Sequence, residues 1–96
     1  MQTTHASHSG SFNVLCFDLG DSADAIDRYT VVNLDDIVRY SPHGSIYGGW
    51  AASANPFYPL GFGQHTEAML GEQLGEEILF DQLPEDVQRF VAQDFA

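Results

Sequence analysis

The chain has 96 residues, fourteen Asp and Glu against three Arg and no Lys, and a formal charge of -11. That balance excludes direct nucleic-acid binding, which needs a basic face to neutralise phosphates, and it excludes docking on an anionic membrane surface. Hydrophobic residues make up 44% and aromatics 12%, enough for one core in one domain of ordinary size. The partners such a charge selects are basic proteins, or a protein with a basic nucleic-acid-binding groove; solubility alone is the plainer reading of the same charge.

One cysteine, Cys16, leaves no internal disulfide and suits a reducing compartment. The start MQTTHASHSGS lacks the basic residues and apolar run of a signal peptide, and no apolar run approaches the ~18 residues of a spanning helix. The expectation is a cytoplasmic protein. Residues 1–11 read as a flexible N-terminal tail, and residues 12–96 as a single domain. His5 and His8 form an H-x-x-H spacing, but without a third ligand they read as part of the tail rather than as a metal site.

Phe12–Leu19 alternates as a strand with apolar groups on both sides: Phe12, Val14 and Cys16 face one way, Leu15, Phe17 and Leu19 the other. Both faces being apolar implies a central strand or one covered by a helix. Mid-strand between Leu15 and Phe17, Cys16 reads as a small core residue, not as a nucleophile.

Asp18, Asp21, Asp24 and Asp27 then recur every third residue. If helical from Asp21, these carboxylates form a row roughly 5–6 Å apart, a spacing that imitates successive phosphates of a nucleic-acid strand. A solvated acidic loop is the plainer reading. Calcium is a third, but the D-x-D-x-D-G loop and its closing Glu are missing.

Arg28–Leu34 is rich in β-branched and aromatic residues and reads as a strand. Asp35-Asp36 reads as a turn, with Ile37–Tyr40 resuming as a third strand, and Ser41-Pro42-His43-Gly44 as a further turn.

Tyr40–His65 holds the only Trp and most of the Gly and Pro of the chain. It divides into a strand through Ile46–Ala52 and a proline-fixed aromatic loop with Phe57, Tyr58 and Phe62. That loop either plugs one end of the core or presents an apolar patch to a partner.

His65–Gly75 reads as a short amphipathic turn around Ala68, Met69 and Leu70, stopped by Gly71 and Gly75, and Glu76–Phe80 as an edge strand. Leu83–Ala96 is the clearest helix. Pro84 suits its first position, Glu85 and Asp86 complement the dipole, and Leu83, Val87, Phe90, Val91 and Phe95 form one apolar stripe. The fold class is α+β: a three- to four-stranded, mainly antiparallel sheet with a C-terminal helix packed on one face.

No G-x-S-x-G, Walker loop, C-x-x-C, H-E-x-x-H or dinucleotide fingerprint occurs. The expectation is no catalysis, no cofactor and no metal. Together, Asn55-Pro56-Phe57-Tyr58-Pro59-Leu60-Gly61-Phe62 and Leu83-Pro84-Glu85-Asp86-Val87 give the region Tyr29–Phe90 an order that resembles small uncharacterised proteins borne on plasmids and phages. The resemblance brings no site residues. It implies a mobile-element setting, where small acidic proteins act as anti-restriction or anti-CRISPR inhibitors, some by mimicking DNA. Partner-binding candidates are then Asp18, Asp21, Asp24, Asp27, Asp35 and Asp36 for charge, with Trp50, Phe57 and Tyr58 as apolar anchors. The alternative is a homo-oligomeric accessory protein of a plasmid or phage, such as a homodimer joined by its aromatic loop.

Overall fold

The computed structural model describes residues 13–20, 28–53 and 64–95. Their strands form one five-stranded antiparallel sheet, covered on one face by a C-terminal helix. The strands are β1 (Val14–Asp18), β2 (Tyr29–Ser41), β3 (Gly44–Ala52), β4 (Gln64–Met69) and β5 (Glu76–Ile78), and the helix is α1 (Glu85–Phe95). Across the sheet the order is β4-β3-β2-β1-β5. The α+β class read from the sequence is therefore correct, with five strands rather than three or four.

β1 is interior, as its two apolar faces imply. It pairs with β2 (Cys16 opposite Val31) and with the short edge strand β5 (Cys16 opposite Ile78). Val14, Cys16, Tyr29, Val31, Trp50 and Ala52 project to the helix side. There they meet Phe80, Leu83, Val87 and Val91, with Ile78, Phe90 and Phe95 packed around them. The helical stripe thus buries as its spacing requires, although Phe90 is only partly buried. Val32 and Ala51 alternate onto the opposite face and are buried too, so this half of the sheet is closed on both sides. Cys16 is fully buried, and its thiol is pushed up to about 12, by burial first and by the Glu77 carboxylate second.

Two expectations fail. Asp35-Asp36 does not turn the chain: β2 runs through both residues as one thirteen-residue strand. What the aspartates mark is a break in register with β3 between Val32 and Ile37. The Asn33 side chain accepts the Asp35 N–H at 3.0 Å, and Asn13 Nδ2 donates to Asp35 Oδ1 at 3.1 Å. The turn chemistry is real, but it is spent on a bulge inside a strand whose ends are held by pairing.

The second failure is Gln64–Met69, which is a strand and not a helical turn. It pairs along β3 from Ile46–Met69 to Ala51–Gln64. Its Glu, Ala and Met favour helix, and the ladder offered by β3 overrides that preference.

The turn at Ser41–Gly44 is as expected. Ser41 Oγ accepts the His43 N–H at 3.1 Å and donates to the Gly44 carbonyl at 2.9 Å, and Gly44 takes φ +140. Gly49 has a different reason to be glycine. A methyl there would overlap the Val31 carbonyl oxygen of the neighbouring strand. The proline-fixed loop and the aspartates 21, 24 and 27 lie outside the described residues.

Candidate functional site

Three features stand out around this frame: a polar clamp at the C-terminal end of α1, a groove beside it, and an acidic margin at the far edge of the sheet.

The clamp is built from β3, β4 and α1. Trp50 and His65 are cross-strand partners on the helix side of the sheet. Asp94, in the last turn of α1, reaches both. Trp50 Nε1–H donates to Asp94 Oδ2 at 2.6 Å, and His65 Nε2 lies 2.5 Å from the same oxygen. The Trp50 hydrogen bond first, and that of His65 second, hold the Asp94 carboxyl below the usual carboxylate range. Phe95 packs on Trp50 with ring centroids 5.3 Å apart, and Phe90 lies 6.1 Å from His65. Trp50 is only 5% exposed. Expected as an apolar anchor for a partner, it is instead a core residue whose polar edge fastens the helix to the sheet.

Beside the clamp, β2, β3 and β4 form an open groove of about 340 Å³. Its floor is the backbone of Gly48 and Gly49, and Asp36, Val38, His65 and Glu67 stand around it. Asp36 folds over Gly48 so closely that a methyl group there would collide with its Oδ2. Glu67 is held from across β3 by Arg39, whose Nη1 lies 2.7 Å from Glu67 Oε1.

The other sheet edge carries the third feature. From Glu72 to Asp86 the chain places Glu72, Glu76, Glu77, Asp81, Glu85 and Asp86 in exposed positions along β5 and the entry to α1. Asp18 adjoins this margin opposite Glu76, but its charge is already engaged. Arg28 grips it through Nε at 2.7 Å and Nη2 at 3.1 Å. That guanidinium, helped by the Gly20 N–H at 2.8 Å, holds the Asp18 carboxyl below the usual range against the cost of desolvation. Arg89 pairs with Asp86 one helical turn away. All three arginines of the chain therefore neutralise carboxylates of the chain itself.

Of the candidates read from the sequence, the structure brings Asp36 to the groove and Asp35 to the bulge next to it, both exposed. It leaves Asp18 on the interior strand β1, opposite Glu76 of the edge strand, and Trp50 in the core. Asp21, Asp24, Asp27, Phe57 and Tyr58 lie outside the described residues. Sequence reasoning missed His65, Glu67 and Asp94, because their partners are 44 and 29 residues away for the clamp and because β4 was read as helical. Among the described residues no cluster of three or more His, Cys, Asp or Glu is arranged to hold a metal, and no helix is long and apolar enough to cross a membrane.

No family model, curated protein or solved structure matches the chain. The site stands on its own geometry.

Proposed function

We propose that the protein is a non-enzymatic inhibitor that docks an acidic surface into the basic nucleic-acid groove of a host defence complex, of the anti-restriction or anti-CRISPR kind. One observation carries this reading. Every arginine is tied to a carboxylate within the chain, so the exposed Glu72–Asp86 margin, with six carboxylates, keeps a net negative charge toward solvent. A protein groove shaped for phosphates is lined with Arg and Lys, and a preformed carboxylate row competes for the same contacts. The sequence alone pointed to the aspartates 18–27 for this role; of these the structure describes Asp18, which Arg28 neutralises, and the Glu72–Asp86 margin is a separate acidic surface. The buried, high-pKa Cys16 is unsuited to act as a nucleophile.

The test is competitive capture. Immobilised protein is exposed to a bacterial lysate, and bound nucleic-acid-processing proteins are eluted with duplex DNA or with salt. The expected result is retention that duplex DNA displaces, and that weakens when Glu72, Glu76, Glu77 and Asp81 are changed to Gln or Asn. Retention indifferent to DNA and to those substitutions sinks the reading. A second reading, a homo-oligomeric accessory protein, is favoured by the exposed Ile37, Val38 and Tyr40, which are 44%, 43% and 74% accessible. Light scattering at a single monomer mass removes it.

A further inference from the structure

We propose that the groove over Gly48 seats an arginine side chain of the basic partner, with Asp36 and Glu67 as its two carboxylate walls. This rests on the reading above that the partner is a basic protein, and it places a specific contact on the sheet edge opposite the acidic margin.

The size of the groove comes first. At about 340 Å³ it lies at the small end of the ~300–1,000 Å³ typical of ligand pockets, so it suits an appendage better than a whole cofactor. Its sign comes next. Asp36 and Glu67 exclude a phosphate or carboxylate, and among the described residues no ion pair engages Asp36.

Shape then selects guanidinium over ammonium. The floor is the Gly48 and Gly49 backbone with the Asp36 carboxylate reaching over Gly48, so a flat group can lie edge-on to that carboxylate and face Glu67. The His65 imidazole, whose side chain is 72% exposed, offers a ring for the guanidinium to stack on, which a hydrated ammonium exploits less well. Val38, exposed at the rim, can cover the aliphatic stem of an arginine.

Glu67 is also preorganised. Arg39 already occupies Oε1 at 2.7 Å, which fixes the carboxylate while leaving it further acceptor capacity. An incoming arginine therefore meets one wall already held in place. The close fit of Asp36 over Gly48 positions the other.

The experiment uses L-argininamide as the probe, titrated into the ¹⁵N-labelled 96-residue chain at physiological salt. Backbone amides are followed by NMR, with L-lysinamide run in parallel. Saturable shifts are expected at Gly48, Gly49, Thr66 and Glu67, with weaker binding of lysinamide. Asp36→Asn with Glu67→Gln should reduce affinity at least about tenfold, the factor that corresponds to ~1.4 kcal/mol. Both positions are exposed, so a dispersed amide spectrum for this variant confirms an intact fold. The single Asp36→Asn variant, which leaves the Arg39–Glu67 pair untouched, should lose part of that affinity. Glu76→Gln with Glu77→Gln, on the opposite edge, should leave it unchanged.

Non-saturating shifts, shifts spread along Glu72–Asp86, or an affinity unaffected by the Asp36 and Glu67 changes would each overturn the proposal. Because the probe is a small cation, this result is independent of lysate capture. Loss of DNA-displaceable capture with argininamide binding intact removes the inhibitor reading alone, and the converse removes the groove alone.

Discussion

The two halves of the long β2–β3 hairpin use the same kinds of residue to opposite ends. In the near half, Tyr29, Val31 and Val32 are buried; in the far half, Ile37, Val38 and Tyr40 stand in solvent. Strand propensity is equally high in both, so it does not decide burial. The reach of the covering layers does. An eleven-residue helix spans roughly 16 Å at 1.5 Å per residue, whereas thirteen residues of strand extend up to roughly 40 Å. β1 is shorter still and pairs only with Tyr29–Asn33. The bulge at Asp35-Asp36 falls where this cover ends, and beyond it the hairpin projects with only β4 beside it. The near half is the foundation, and the far half is available surface.

Substitutions can break or sharpen that division. The largest effect is expected at Gly49, where a side chain meets backbone that has nowhere to go. Gly49→Ala should cost more than about 5 kcal/mol, beyond the ~1–3 kcal/mol of ordinary side-chain overpacking because the methyl meets backbone, and so remove most of a small domain's ~5–15 kcal/mol margin. Gly48→Ala, which meets only the movable Asp36 carboxylate, should be clearly milder. Equal melting temperatures for the two would mean that β2 and β3 are not clamped as described.

Next in size is Leu83→Ala, a near-fully buried position under α1. It should cost about 2–5 kcal/mol in urea unfolding. Phe90→Ala, only partly buried, should cost less despite the larger side chain. A larger loss at Phe90 would show that the helix packs through a different stripe.

Asp94→Ala should cost about 1–3 kcal/mol, since it strands the buried indole N–H of Trp50. Trp50 is the only tryptophan, so its emission should shift red in the native state of this variant. An unmoved spectrum would place the indole away from Asp94.

Acid should reveal the same clamp together with the Arg28–Asp18 pair. Asp18 and Asp94 have folded pKa values lowered from the usual value, so their contribution is complete above the unfolded pKa near ~3.9 and is lost as pH falls through the folded values. The stability gap between wild type and an Asp18→Asn, Asp94→Asn double variant should be constant from pH 7 to pH 5 and should narrow below about pH 4. A gap that persists undiminished at pH 2 would show that the charges of these carboxylates are not what the partners hold.

The smallest effect belongs to the far half. Ile37→Ser and Tyr40→Ser should change stability by no more than about 0.5 kcal/mol. A loss of several kcal/mol would mean that these side chains are covered and would erase the distinction between the halves.

The near half was legible from the sequence, and the far half much less so. The period of Leu83, Val87 and Val91 announced a helix and its buried face, and the two apolar faces of Phe12–Leu19 announced an interior strand, because both signals are local. Asp35-Asp36 misled because its turn-forming hydrogen bonds are real, yet pairing on either side keeps the strand going. Gln64–Met69 misled because nothing in its own composition asks for a strand; β3 supplies the reason. The Trp50–His65–Asp94 clamp has no local signal at all, since it comes into being only when the helix returns across the sheet.

Cys16 has one more consequence. As the sole thiol of the chain, locked between β2 and β5 with its proton held to about pH 12, it can meet an alkylating reagent only when β1 detaches. The rate of its labelling under native conditions therefore clocks how often the centre of the sheet opens, residue by residue of the foundation rather than of the projecting hairpin. A partner that gripped only the far half would leave that clock running at its old speed, whereas one that bound across the whole sheet would slow it.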